Sequence, residues 1–140
     1  MVSSGELSVN DAEKIAVVEK MLDAWNRTNF EDVAGLFTAD GIFHSVMRQP
    51  LVGRDAIYKH LKTLQSAKAG NEVDIQVKHI GVIDGLVFTE RLDKVFMNGR
   101  RGEIPAVGIF DVRDGQVALW REYYDRETLL RETGQIAGNT

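Results

Sequence analysis

A chain of 140 residues is the size of one domain and can bury a core of its own, so residues 1–140 are read as a single unit. With 17 Lys and Arg against 21 Asp and Glu the net charge is −4, which disfavours nucleic acid; no cysteine and three scattered histidines point to chemistry without metal, thiol or other cofactor. No apolar run approaches the roughly 20 residues of a membrane span and the first ten residues lack a signal-peptide pattern, so a soluble, cytoplasmic protein with no membrane partner is expected.

Asn10 with Glu13 three residues on has the form of a helix cap, and Ile15, Val18, Leu22 and Trp25 recur at helical spacing, which predicts a helix over 11–26. A shorter helix fits 30–37, with Val33, Leu36 and Phe37 inward and the turn-prone Asp40-Gly41 closing it. A short strand follows over 41–46, and Pro50 and Gly53 make a loop. Ile57, Leu61 and Leu64 then mark a third helix, with Lys59, His60 and Lys62 toward solvent. From Glu72 onward β-branched residues alternate, punctuated by Asp84-Gly85, Asn98-Gly99 and Asp114-Gly115, dipeptides that tolerate positive φ in tight hairpins. They divide 72–82, 86–96, 103–112 and 117–125 into four strands of an antiparallel meander. Pro105 cannot donate to a ladder and is expected at a strand entry or bulge, and a last helical turn over 127–131 would close one end of the sheet. Helices first and a meander second is the α+β pattern, in which helices pack into the concave face of a curved sheet. The resulting pocket would be walled by helix residues such as Met21 and Trp25 and by alternate sheet residues.

Two stretches carry the chemistry: Thr89-Glu90-Arg91-Leu92-Asp93 and Trp120-Arg121-Glu122-Tyr123-Tyr124-Asp125. Residues two apart on a strand share a face, so Arg91 projects with Asp93, and Tyr123 with Asp125. A guanidinium between Asp93 and Asp125 in a dry pocket would hold one carboxyl as acid and one as base at neutral pH. Each residue also has a plainer use. Arg91 and Asp93 could be an ion pair on a wet face, and Asp125 the cap of the final helix. Trp25 and Trp120 read as core residues.

Thr-Glu-Arg-x-Asp, Gly-x-Phe ahead of an Asp-Gly turn, and Trp-Arg-Glu-Tyr-Tyr-Asp together resemble the limonene epoxide hydrolase family, within the nuclear-transport-factor-2-like and SnoaL-like (polyketide-cyclase-like) folds. The similarity runs over about residues 13–132 and includes Val52-Gly53-Arg54-Asp55. It implies a cone-shaped fold on a strongly curved mixed sheet, and a homodimer through the outer sheet face. It also implies that Asp125 takes a proton from the attacking water, that Asp93 protonates the departing epoxide oxygen, and that Arg91 bridges the two. The family's water-holding Tyr and Asn fall here on Phe43 and Ser45, which lose a hydroxyl and shorten a hydrogen-bonding group; Tyr123 or His44 are the available substitutes, although alternation sends His44 to the other face. The expected function is cofactor-independent hydrolysis of an epoxide on a small, mainly apolar molecule to a vicinal diol. The missing Tyr and Asn keep two further readings open: ring opening or isomerisation by a nucleophile within the substrate, and a non-catalytic protein that binds a small ligand.

Overall fold

The computed structural model describes residues 8–66 and 72–135. Its helices are α1 (Val9–Asn26), α2 (Phe30–Gly35), α3 (Arg54–Ser66) and α4 (Arg126–Glu132). Strands β1 (Phe37–Ser45), β2 (Leu51–Val52), β3 (Glu72–Ile83), β4 (Leu86–Met97), β5 (Arg100–Arg113) and β6 (Gln116–Tyr124) form one open mixed sheet in the order β2-β1-β6-β5-β4-β3. The expected meander is β3 to β6. Each of its hairpins closes on two residues at positive φ, Asp84-Gly85, Asn98-Gly99 and Asp114-Gly115, a turn whose twist matches that of the flanking strands. β1 then runs parallel to β6 and carries β2 on its other edge.

Local expectations failed where sheet pairing competed with helix signals. Ser8, not Asn10, caps α1, its hydroxyl accepting from the Asp11 amide at 3.0 Å, so the helix starts two residues early. α2 stops at Gly35 because the next residues are drawn to β6: the Val117 amide donates to the Leu36 carbonyl at 2.7 Å, and Phe37 pairs with Val117. Asp40-Gly41 is therefore not a turn but lies inside β1, at the register shift between Phe37 and Ile42. Pro105 sits neither at an entry nor at a bulge. It faces Leu92 in an unbroken ladder with β4, while pairing toward β6 ends at Ala106 and Tyr124, so no strand on that side requires its absent N–H.

The core lies between the helices and the inner sheet face, where Val18, Met21 and Leu22 of α1 and Ile57 and Leu61 of α3 meet Phe37, Phe110 and Trp120. Met21, expected on a pocket wall, is wholly buried in this core and is not among the residues that line the cavity beside Arg91. Asn26 fastens the end of α1 to β3 like an extra strand residue, donating to the Ile75 carbonyl at 3.1 Å and accepting from its amide at 2.7 Å. Arg54 ties α3 to β1 through the Phe37 carbonyl, at 2.6 and 3.1 Å. Register shifts at 77/79 in β3 and 111/112 in β5 bend the sheet around the helices.

α4 closes against β5 at a glycine. A β-carbon on Gly102 would stand 2.3 Å from the Glu132 carbonyl oxygen, which is backbone and cannot swing away. Gly102→Ala is expected to lift α4 and cost about 1–3 kcal/mol in urea unfolding. Gly81→Ala on β3, where the added carbon meets nothing within 4 Å, should stay within about 0.5 kcal/mol of the parent or gain stability.

Candidate active site

Arg91 is the only arginine among the described residues with a fully enclosed head, its side chain 2% exposed on the inner face of β4. A buried guanidinium needs acceptors, and two carboxylates take four of its five N–H bonds. Asp93, two residues on along the same face, accepts from Nε at 3.2 Å and from Nη2 at 2.8 Å. Glu122 of β6 accepts from Nη1 at 2.7 Å and Nη2 at 2.9 Å, and the Trp120 indole N–H donates to Glu122 Oε1. To reach β6 the guanidinium must cross β5, and it crosses at Gly108. Thr89, Gly108 and Glu122 stand level in the three strands, and a β-carbon on Gly108 would lie 2.5 Å from Arg91 Nη1 and 3.2 Å from Glu122 Oε1. The buried Thr89 hydroxyl donates to the Gly108 carbonyl at 3.2 Å.

One cation faces two anions, so the three cannot all be satisfied as charges. Burial would weaken the Arg91 cation, but Glu122 and Asp93 outweigh it and raise its pKa, so Arg91 stays protonated. Glu122, wholly desolvated, goes the other way from ordinary acids in ion pairs: burial raises its pKa more than the attraction of Arg91 lowers it, with Asp93 adding repulsion. Glu122 therefore holds a proton more readily than an ordinary carboxyl group does.

The cluster forms part of the wall of a cavity of about 540 Å³. Trp25, Phe43 and Trp120 supply an aromatic wall, with Phe43 and Trp120 centroids 4.9 Å apart and Trp25 5.4 Å from Trp120. Of the residues expected from sequence, Arg91, Asp93, Phe43 and Ser45 line it together, and Ser45 stands directly across the β1–β6 ladder from Glu122. Tyr123 and Asp125 do not. Trp120 is buried inward, so alternation sends Glu122 and Tyr124 inward and Tyr123 outward, where it is 43% exposed. Asp125 lies past the end of β6 as the cap of α4, its Oδ2 accepting from the Thr128 amide at 3.0 Å and hydroxyl at 2.6 Å; these bonds hold its pKa below the ordinary range. The plainer reading of Asp125 is the one the structure bears out. His60, expected toward solvent, instead lines the cavity half-buried. Glu122, Trp120 and Tyr124 were missed, and the signal that could have found them was the parity set by the bulky Trp120.

The family model for the limonene-1,2-epoxide hydrolase catalytic domain matches residues 12–135. The epoxide hydrolase EphG of Mycobacterium tuberculosis is 31% identical over 108 residues, covering 77% of this chain and 70% of that protein. Among solved structures, an epoxide hydrolase of limonene-epoxide-hydrolase type from M. tuberculosis superposes with a TM-score of 0.77 at 25% identity, over 89% of this chain and 92% of that one. A polyketide-cyclase-like protein from Xanthomonas campestris pv. campestris shares the fold, at a TM-score of 0.78 and 18% identity over 89% and 98% of the two chains. The chain belongs to the limonene-1,2-epoxide hydrolase family.

The buried proton site leaves a signature in stability. Folded Glu122 binds its proton more tightly than the unfolded chain does, so its contribution is fully present below the ordinary glutamate range, near about 4.3, and is lost as pH rises through its raised value. Glu122→Gln removes this titration. The stability difference between parent and variant should therefore move in the parent's favour as pH falls from about 8 to about 4, measured by urea unfolding at each pH.

Proposed function

We propose that this family member adds water to an epoxide on a small, mainly apolar molecule and releases a vicinal diol, with Glu122 as general base, Asp93 as general acid and Arg91 as the bridge. The observation that carries this reading is two carboxylates on one buried guanidinium in the wall of a largely apolar cavity. The name of the M. tuberculosis relative supports the reaction class.

In the loaded site, water donates a hydrogen bond to Glu122, which must therefore be ionised, while Ser45 across the ladder offers the water a second partner. The acid role then falls to Asp93, against the epoxide oxygen. Water attacks a ring carbon and passes a proton to Glu122 as the C–O bond breaks; the departing oxygen takes the proton of Asp93. The sum is one diol and one proton moved from Asp93 to Glu122. Arg91 remains a cation throughout and stays bonded to both carboxyl groups, so the charge shift needs no rearrangement of the protein. Asp93, 18% exposed against 7% for Glu122, is the better placed to exchange its proton with water after turnover. Raised proton affinity makes Glu122 a stronger base than an ordinary carboxylate.

A second reading, attack by a nucleophile within the substrate, is favoured by Phe43: its ring packs among Trp25, Phe37 and Trp120 and offers no hydroxyl to a water. For assembly, a homodimer through the outer sheet face is proposed from Val107 and Tyr123, which are partners in the ladder there and 36% and 43% exposed. Light scattering checks it.

Turnover of a panel of small epoxides in oxygen-18 water should give diols carrying one solvent oxygen; an unlabelled ring-opened product would mark internal attack. Asp93→Asn and Glu122→Gln should each lower kcat by about 10²–10⁴-fold, while Asp125→Asn, altering only a helix cap that Asn also serves, should leave kcat near that of the parent. If water is the nucleophile, Phe43→Tyr with Ser45→Asn should raise the hydrolysis rate, because it restores partners for the water.

A further inference from the structure

The cluster of Arg91, Asp93 and Glu122 is not the only charge on the cavity wall. Arg48 and His60 also line it, beside Ser45. Arg48 is held by its backbone: its amide donates to the Ser45 carbonyl at 2.8 Å, its carbonyl accepts from His44 Nε2 at 3.0 Å, and the Val46 amide two residues earlier donates to the Glu122 carbonyl at 3.0 Å. The turn is thereby pinned to the strand that carries the base. Yet the Arg48 guanidinium itself meets no hydrogen-bond acceptor or carboxylate among the described residues, and the His60 ring meets none either. The two are close enough that Arg48, after burial, is a cause of the lowered pKa of His60. A neutral imidazole still carries one N–H.

From these unspent donors we infer that the cavity takes an epoxide bearing a carboxylate, with the carboxylate on Arg48 and the His60 ring N–H and the epoxide at Asp93 and Glu122. This names a substrate class for the hydrolysis proposed above and rests on that reading. The cations lining the cavity among the described residues are Arg48 and Arg91, and Arg91 is already paired with two carboxylates, which suits an anion of single charge better than a phosphate. A turn and one ladder step separate Arg48 from Glu122, on the order of 10 Å between their backbones, so the carboxylate sits several bonds from the ring. Phe43, Leu64, Val73 and Ile75 add apolar surface to the same cavity wall, which fits a hydrocarbon linker.

The test separates this inference from the hydrolysis it rests on. Steady-state kinetics on the epoxide of undecenoic acid and on its methyl ester give the acid-to-ester ratio of kcat/KM. That ratio should exceed one in the parent and fall by about tenfold or more in Arg48→Gln. Calorimetry with undecanoate, which has no epoxide, reads the anion subsite without any chemistry: its Kd should rise by about tenfold in Arg48→Gln, an exposed turn residue whose loss the fold tolerates, and by a smaller factor in His60→Ala. Undecanoate that binds parent and Arg48→Gln equally, or more weakly than its methyl ester, would overturn the subsite. Turnover of neither compound, with undecanoate binding still dependent on Arg48, would instead count against hydrolysis while supporting the carboxylate site.

Discussion

A guanidinium buried on the inner face of a sheet is the constraint on which this molecule is organised. Arg91 cannot shed its charge and is almost wholly withdrawn from solvent, so the surrounding strands must supply acceptors for its inward N–H groups. Asp93 answers from the same strand. Glu122 answers from two strands away, and that answer is possible only because the strand between presents no side chain at Gly108. The result is a cluster whose ions hold each other in place and whose net charge is one negative unit too many. Burial, with that surplus behind it, raises the proton affinity of Glu122.

The rest of the fold serves this alignment. Two-residue hairpins, together with the register shift at 111/112, set β4, β5 and β6 so that Thr89, Gly108 and Glu122 come level. The parallel addition of β1 beyond β6 brings Ser45 level with Glu122 and sets Phe43 against Trp120. Helices α1 and α3 then cover the inner face with apolar side chains, and the low polarity this creates strengthens each interaction within the cluster. Trp120 joins both functions, its ring in the core and its N–H on Glu122.

The fold by itself carries little functional meaning, since a polyketide-cyclase-like protein at 18% identity superposes as well as the epoxide hydrolase at 25%. What distinguishes members of such a group is which side chains the inner sheet face presents. Here that face presents an ion cluster and an aromatic wall, and the turn after β1 adds a cation whose guanidinium meets no acceptor among the described residues.

Much of the architecture was legible in the sequence. Asp-Gly and Asn-Gly dipeptides determine hairpins through their tolerance of positive φ, and alternation within each strand is a local property, so the meander and the pairing of Arg91 with Asp93 on one face needed no tertiary information. The motifs of β4 and β6 likewise identified the family over most of the chain. Three things depended on contacts between distant segments. The end of α2 and the start of β1 were set by Val117, eighty residues along the chain, whose hydrogen bond to Leu36 outweighs the helical signal of Leu36 and Phe37. The face to which β6 turns its residues was settled by the burial of Trp120, and this gave the second carboxylate to Glu122 and left Asp125 to cap α4. The place of His60 on the cavity wall followed from how α3 lies across the sheet, which its own amphipathic pattern does not encode. Periodicity tells a segment that it has two faces; only packing against the other elements decides which of them faces the site.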